Sequence, residues 1–327
     1  MQTIAVFTAP TGGIISLNGR FAGETGPESP LIMPVTPNGT LYVEFSPFSR
    51  RFRPMAYKFQ TSSGEFDMEN TSDACYMMLW PDGICEFSLT PPAAYPPESE
   101  YSMLDDRPIA LLRGEASLLR VGREALALPA GAQLPDTKIH INGAEIYMGK
   151  CNEGQYAAAF SAHTLQPISA ITAGKIVHEN NTLRATTDLN DTAGHTLIEI
   201  YTPTETALNL TSNEYIWTNN PPNRPDSPEK TALTAIEAAM LNLYDEANSY
   251  LAPSLSQSNI ISEISQKYDT VLPMKYIIPK QPCLALVKKK TDRAAIVTPL
   301  SYHAIPTDNA WQLDRLEITP FHMHKSM

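Results

Sequence analysis

The chain has 327 residues, more than one ordinary core holds, so two or three domains are expected. Only 18% of residues are charged while 28 are proline, a balance that favours β modules with turn-rich connections over helical bundles. The net charge of -11 repels phosphate backbones and argues against a nucleic-acid partner.

No apolar run is long enough to span a bilayer as a helix, so no membrane span is expected. The N-terminus lacks a basic segment, and Pro10, Gly12 and Gly13 interrupt any apolar stretch of a leader. A cytoplasmic location is therefore expected. A surface location stays open should a leader precede this sequence. Cys75 and Cys85 flank a turn at Pro81-Asp82-Gly83. Antiparallel pairing around that turn sets Cys75 near residue 89, so the two thiols are not partners. Reduced, packed cysteines are expected.

Two proline-rich stretches, around residues 90–99 and 219–228, divide the chain. The expected partition is residues 1–100, 101–220 and 227–320, with a tail at 321–327. The fold class expected is mainly β and multi-domain. Two antiparallel, sandwich-like regions precede an α+β region of helices packed on a curved antiparallel meander.

In the first region, Asn18-Gly19 after an alternating run is a hairpin signal, since both residues tolerate positive φ. In the run from Thr40 to Phe45, Leu41, Val43 and Phe45 share one face, which predicts a half-buried strand. Tyr76–Trp80 and Ile84–Leu89 predict a hairpin across Pro81-Asp82-Gly83. Two segments carry a family pattern. They are Ile15-Ser16-Leu17-Asn18-Gly19-Arg20-Phe21-Ala22-Gly23-Glu24-Thr25 and Pro34-Val35-Thr36-Pro37-Asn38-Gly39-Thr40-Leu41-Tyr42-Val43-Glu44-Phe45. Together they resemble the PEGA family of small β-sandwich modules found in many bacterial proteins. The chain departs from the family pattern at Gly26, where a proline is usual, and Pro27 follows one residue later. The resemblance implies an interaction or surface module without catalytic residues.

The second region also reads as β. Ile141-Asn142-Gly143 to Gly149 echoes the Leu17-Asn18-Gly19 unit, as an internal repeat or as an unrelated hairpin of the same chemistry. The third region changes character. Ser227-Pro228-Glu229 predicts a capped helix start. Leu233, Ile236, Met240, Leu243, Tyr244, Ala247 and Leu251 then form one stripe over about five turns. Pro253 stops that helix. A shorter helix is expected over residues 259–268, then strands near 270–278, 283–289, 293–303 and 310–318. Helices followed by a meander ending in Trp311-Gln312-Leu313 resemble the cone-shaped NTF2-like family, although no strand separates the helices here. That resemblance implies a curved sheet with an open mouth that binds a small ligand or pairs with another subunit.

Tests for chemistry come out against catalysis. No Gly-x-Ser-x-Gly, phosphate loop, Cys-x-x-Cys or His-Glu-x-x-His occurs. Asp188, Asn190 and Glu199 have the spacing of a calcium loop, but Ala193 stands where the tight turn needs glycine, so a structural hairpin is expected. His322 and His324 sit in the terminal tail. No metal and no cofactor is expected. Trp80, Trp217 and Trp311 stand at strand ends, where core packing is expected. The residues that would line the mouth of the third region are Asp269, Tyr276, Tyr302 and His303. Tyr302 and His303 are neighbours on a strand, so only one can face inward.

Three functional readings follow. The leading one is a non-enzymatic interaction or scaffold protein, with a protein partner or self-association through the C-terminal sheet. The alternatives are a small-molecule binder or minor enzyme using the mouth, and a surface or glycan-binding protein.

Overall fold

The computed structural model describes residues 3–35, 39–62, 65–66, 75–92, 98–105, 107–114, 116–218, 225–275, 282–307 and 310–319. Strand accounts for 61% of the described residues and helix for 12%, so the protein is mainly β, as its composition implied. Residues 1–94 and 224–327 form one compact unit, and residues 95–223 a second.

The chain opens with β1 (Thr3–Thr8), β2 (Gly13–Leu17), β3 (Arg20–Thr25), β4 (Leu31–Val35), β5 (Gly39–Pro47), β6 (Met55–Ser62), β7 (Glu65–Phe66), β8 (Cys75–Trp80) and β9 (Ile84–Leu89). Strands β3-β2-β5-β6-β7 make one sheet, and β8, β9, β1 and β4 belong to another. The Asn18-Gly19 turn has φ values of 51° and 74°, the left-handed pair that a two-residue hairpin needs. Leu41, Val43 and Phe45 all point into the core, as their alternation predicted. They meet Phe7, Met77 and Phe87 from the second sheet. Gly13, on neighbouring strand β2 of the same sheet, leaves room for the Phe45 ring, since a Cβ there would stand 2.5 Å from it.

Strand β1 pairs antiparallel with β4 but parallel with β9, so the sheet is mixed. In the β8–β9 hairpin Cys75 lies opposite Leu89 and Cys85 opposite Leu79, and both thiols are free. Burial pushes the Cys75 thiol up to about 12, and burial, then the charges of Cys75 and Glu86, raises Cys85 well above its ordinary value. Both are therefore protonated and shielded at neutral pH, and a thiol reagent needs thiolate and access. Labelling of the folded protein near pH 8 is expected to modify Cys151 and Cys283, which are partly exposed, and to leave Cys75 and Cys85 silent until denaturant is added. Mass mapping of the labelled peptides reads this out.

The second unit contains twelve strands in three meanders. These are β10 (Glu98–Leu104), β11 (Arg107–Arg113), β12 (Ser117–Val121) and β13 (Glu124–Leu128); β14 (Thr137–Ile141), β15 (Ala144–Cys151), β16 (Gly154–Ser161) and β17 (Pro167–Ala173); and β18 (Lys175–Glu179), β19 (Thr182–Asp188), β20 (His195–Pro203) and β21 (Leu208–Trp217). One hydrophobic cluster joins the first meander to the second, through Leu111, Leu119 and Val121 against Tyr147, Tyr156 and Phe160. Another joins the second to the third, through Ile146, Ala157 and Ala159 against Ile176, Leu183 and Ala185. The middle meander is thus covered on both faces. Its strand β16 reads Tyr156-Ala157-Ala158-Ala159-Phe160 with every residue buried. A strand covered on both sides shows a continuous apolar run instead of alternation. The turn Asn142-Gly143 repeats the left-handed geometry of Asn18-Gly19, with φ values of 47° and 83°. Its strands differ in setting: β2–β3 carries a register shift at Ile15/Ser16, whereas β14–β15 runs in unbroken register inside a four-stranded meander.

The chain then returns to the first unit through α1 (Pro228–Met240), α2 (Tyr244–Ser249), α3 (Pro253–Ser256) and α4 (Ile260–Lys267). The Ser227 side chain caps α1 by accepting the Lys230 backbone N–H at 3.3 Å. The single five-turn helix expected from the apolar stripe is instead two. Asn242 takes φ 64°, and Leu243 N–H donates back to Ala238 C=O at 2.9 Å. A left-handed residue closes α1 and re-aims the chain into α2. Pro253, expected to stop the helix, stands at the start of α3.

Four strands complete the sheet: β22 (Thr270–Pro273), β23 (Cys283–Thr291), β24 (Ala294–Thr307) and β25 (Ala310–Ile318). Their positions follow the meander expected near residues 270–318, with β22 ending at Pro273. Strand β24 is long enough to serve two neighbours on one edge. Its start pairs parallel with β8, Ala294 opposite Met77, and its second half pairs with β25. One eight-stranded sheet therefore takes strands from both ends of the chain. The expected partition had placed β8 and β24 in different regions. Helices α1 and α4 cover Leu284, Leu286, Leu300 and Tyr302 on one face of this sheet.

Candidate interaction interface

Of the residues expected to line a mouth, Asp269, Tyr302 and His303 are described, and each has its own separate partners or packing. Tyr302 is 8% exposed and belongs to the core beneath the helices, where burial raises its phenol. His303, the next residue, takes the opposite face, and its Nδ1 lies 2.6 Å from Asp314 Oδ1. Asp269 is a strand clamp. Its Oδ2 accepts the Lys289 backbone N–H at 2.7 Å, and its Oδ1 accepts from Lys288 Nζ at 3.2 Å. The Lys289 backbone hydrogen bond, with the Lys288 hydrogen bond and the lysine charges, outweighs the opposing effect of burial and holds its carboxyl below its ordinary value. Tyr276 lies outside the described residues.

Other acidic and histidine groups are likewise engaged in holding turns and sheets. In the loop with calcium-like spacing, Asp188 Oδ1 accepts the Thr196 hydroxyl at 2.7 Å. Asp191 Oδ1 accepts the Gly194 and His195 backbone N–H groups, and its Oδ2 lies 2.6 Å from His195 Nδ1. This is hairpin chemistry, with Asp191 replacing backbone partners the turn lacks. Among the described residues no group of three or more His, Cys, Asp or Glu is placed to hold a metal.

The buried charge of the second unit is Glu145, 4% exposed. Its Oε1 pairs with Arg107 Nη2 at 2.6 Å and Lys138 Nζ at 3.4 Å, and its Oε2 accepts the Tyr147 hydroxyl at 2.7 Å. Burial alone would raise this carboxyl. The hydrogen bonds from Tyr147 and Arg107 and the charge of Lys138 outweigh it, so the group sits below its ordinary value. Arg107 comes from the first meander and Glu145 from the second, which makes the network a polar tie between two sheets.

Part of the exposed apolar surface lies elsewhere, on edge strands. The C-terminal sheet was expected to offer a surface to a partner. Its helix-free face buries Ala285, Val287, Ala295 and Val297 with Trp80, packs Met274 against them and leaves Leu272 exposed. The second unit carries exposed Tyr101 and Met103 on edge strand β10, and Leu210, Ile216 and Trp217 on edge strand β21. Strand β21 spans ten residues, of which all but Leu208 and Tyr215 are exposed. Among the described residues it pairs with β20 alone, and a register shift at Ile200/Tyr201 makes Thr211 the additional residue. It contains no lysine, no arginine and no proline, the residues that usually blunt an edge. Trp217, expected to pack in a core, is 43% exposed and stacks on His195 with ring centroids 6.2 Å apart. No sequence signal separates an edge strand from a central one when both alternate. The absence of gatekeeper residues in β21 was the one available hint.

No helix among the described residues is long and apolar enough to cross a membrane. Comparison with protein-family models and with curated proteins finds no match.

Proposed function

We propose that this chain is a non-enzymatic interaction protein built from β modules, and that it associates with a second copy of itself through the open edge of β21. The observation that carries this reading is a ten-residue edge strand, exposed nearly throughout and free of lysine, arginine and proline, with Glu214 its one charge and a single bulge at Thr211. An unpaired edge presents a row of backbone donors and acceptors to any strand of matching length. The sequence of β21 is compatible with itself in an antiparallel pairing centred on Ser212 and Asn213. That register sets Leu208 across from Trp217, Leu210 across from Tyr215 and Thr211 across from Glu214. Its single charge meets a hydroxyl, so no like charges face each other.

The PEGA-like and NTF2-like resemblances agree with such a role, the first as an interaction module and the second as a fold that pairs with another subunit. Helices on one face of a sheet that ends in a meander support the α+β reading of the C-terminal part.

Sedimentation velocity over a range of concentrations tests the proposal. The expected result is a concentration-dependent shift from the mass of one chain to twice that mass. The double substitution Ser212→Lys with Ile216→Lys charges the exposed edge and should abolish the shift while leaving the melting temperature unchanged. A wild-type chain that stays monomeric at every concentration, or a doubly substituted chain that still dimerises, would sink the reading.

A further inference from the structure

On the face of the eight-stranded sheet turned away from the Phe7 and Phe87 core, a hollow of about 290 Å³ opens between β8, β9 and the end of β22. Strand alternation builds it. Cys75, Met77 and Leu79 enter the core, which leaves Tyr76, Met78 and Trp80 on the other face. Met78 stands directly across from Glu86 in the hairpin. A carboxylate is thus set in a floor of thioether and aromatic groups.

Both oxygens of that carboxylate are held. Glu86 Oε2 accepts the Trp80 indole Nε1–H at 3.0 Å, and Oε1 accepts Lys275 Nζ at 2.5 Å. The two partners differ in kind. The indole donor is neutral and comes from the floor, so it orients Glu86 without cancelling its charge. The ammonium comes from the rim, just beyond β22. The Glu86 side chain is 13% exposed and that of Lys275 is 50% exposed. A shielded carboxylate needs a positive partner, and a lysine stem can lie along an apolar wall with its head on the acid. Tyr76 and Trp80 line the same hollow. Burial raises the Tyr76 phenol, so that ring is neutral at physiological pH.

We propose that this hollow is a binding site for an alkylammonium group, and that Lys275 is its built-in occupant, displaced when a ligand amine takes its place on Glu86. The same chemistry is offered by a lysine side chain of a partner peptide and by a free alkyl diamine. The geometry is confined to the first unit and is independent of pairing through β21.

Titration calorimetry with two probes, Nα-acetyl-lysine methylamide and cadaverine, tests it. Removing the tethered competitor with Lys275→Met should tighten binding of an amine probe by about tenfold relative to wild type, since a tethered group competes at millimolar effective concentration. Adding Glu86→Gln to that variant should abolish binding, and acetylating the probe's side-chain nitrogen should do the same. Stronger binding of the lysine amide identifies a peptide ligand, and stronger binding of cadaverine a free amine. Melting curves of each variant establish that it is folded. The proposal is overturned if folded Lys275→Met binds neither amine, or if binding survives Glu86→Gln. Should Lys275→Met fail to fold, the comparison of wild type with Glu86→Gln at high probe concentration decides: weak binding lost in the variant supports the site, and equal behaviour refutes it.

Discussion

Replacing Phe87 by alanine is expected to destabilise the first unit by about 3–5 kcal/mol, the range for a buried phenylalanine whose cavity cannot close. Phe87 is fully buried between the two sheets. Its ring stacks on Phe7 with centroids 5.0 Å apart and meets Phe59 at 4.8 Å. Aromatic contacts of this kind contribute beyond their area. The two sheets are also tied by the Thr25 hydroxyl, which donates to Phe7 C=O at 2.7 Å. That bond fixes the backbone of Phe7 beside the ring and limits its movement into the void. The consequence should reach the far end of the chain. Strand β9 pairs with β8, and β8 pairs with β24 at Ala294, Ala295 and Ile296. Hydrogen exchange of Phe87→Ala should therefore accelerate in β1, β8 and β9 and also at residues 294–296. Strands of the second unit should keep their protection. Acceleration confined to residues before 94 would contradict the shared sheet.

The second large effect belongs to Glu145. The Glu145→Ala change leaves Arg107 and Lys138 without their anion and Tyr147 without its acceptor. Removing one partner of a buried pair costs about 3–5 kcal/mol. The Arg107 side chain is 30% exposed and can turn toward water, so the low end, about 3 kcal/mol, is expected. The pH dependence has a definite sign. The folded Glu145 carboxyl lies below its unfolded value, so its contribution is complete above that unfolded value and disappears as pH falls through the depressed folded one. Thermal melts of the second unit on the acid side should therefore fall more steeply in wild type than in Glu145→Gln. Parallel acid profiles for the two proteins would show that the Glu145 carboxyl is not shifted on folding.

Much of the fold was legible locally. The alternation of Leu41, Val43 and Phe45, the Asn18-Gly19 turn, the Ser227 cap and the closing meander all depend on residues a few positions apart. What was not legible depends on distant partners. Nothing around Ile4 or Met77 announces that β1 will pair in parallel with β9, or β8 with β24. Parallel neighbours share no turn, and hydrophobic period reports only which face is buried. The break at Asn242 was masked because the apolar stripe continues into α2.

The same limit governs the sites. Asp269 and His303 have the chemistry of a mouth, but Lys289 and Asp314 engage them. Glu86 and Glu145 read as single acids on strands, the ordinary mark of a solvent face. Their burial comes from Trp80 and Lys275 in one case and from Arg107 in the other, none of which local spacing could supply. Trp217 was expected inside because tryptophan at a strand end usually packs. It lies outside because β21 is the last strand of its sheet.

Hydrogen exchange of the β21 amides as a function of protein concentration tests self-association through that edge most directly. An unpaired edge exchanges quickly on its open side, and a new strand protects it. The expected result is protection of residues 208–217 that rises with concentration, vanishes in the Ser212→Lys with Ile216→Lys chain, and has no counterpart in β10. Fast exchange along β21 at every concentration, or rising protection that appears on a different strand, would contradict it.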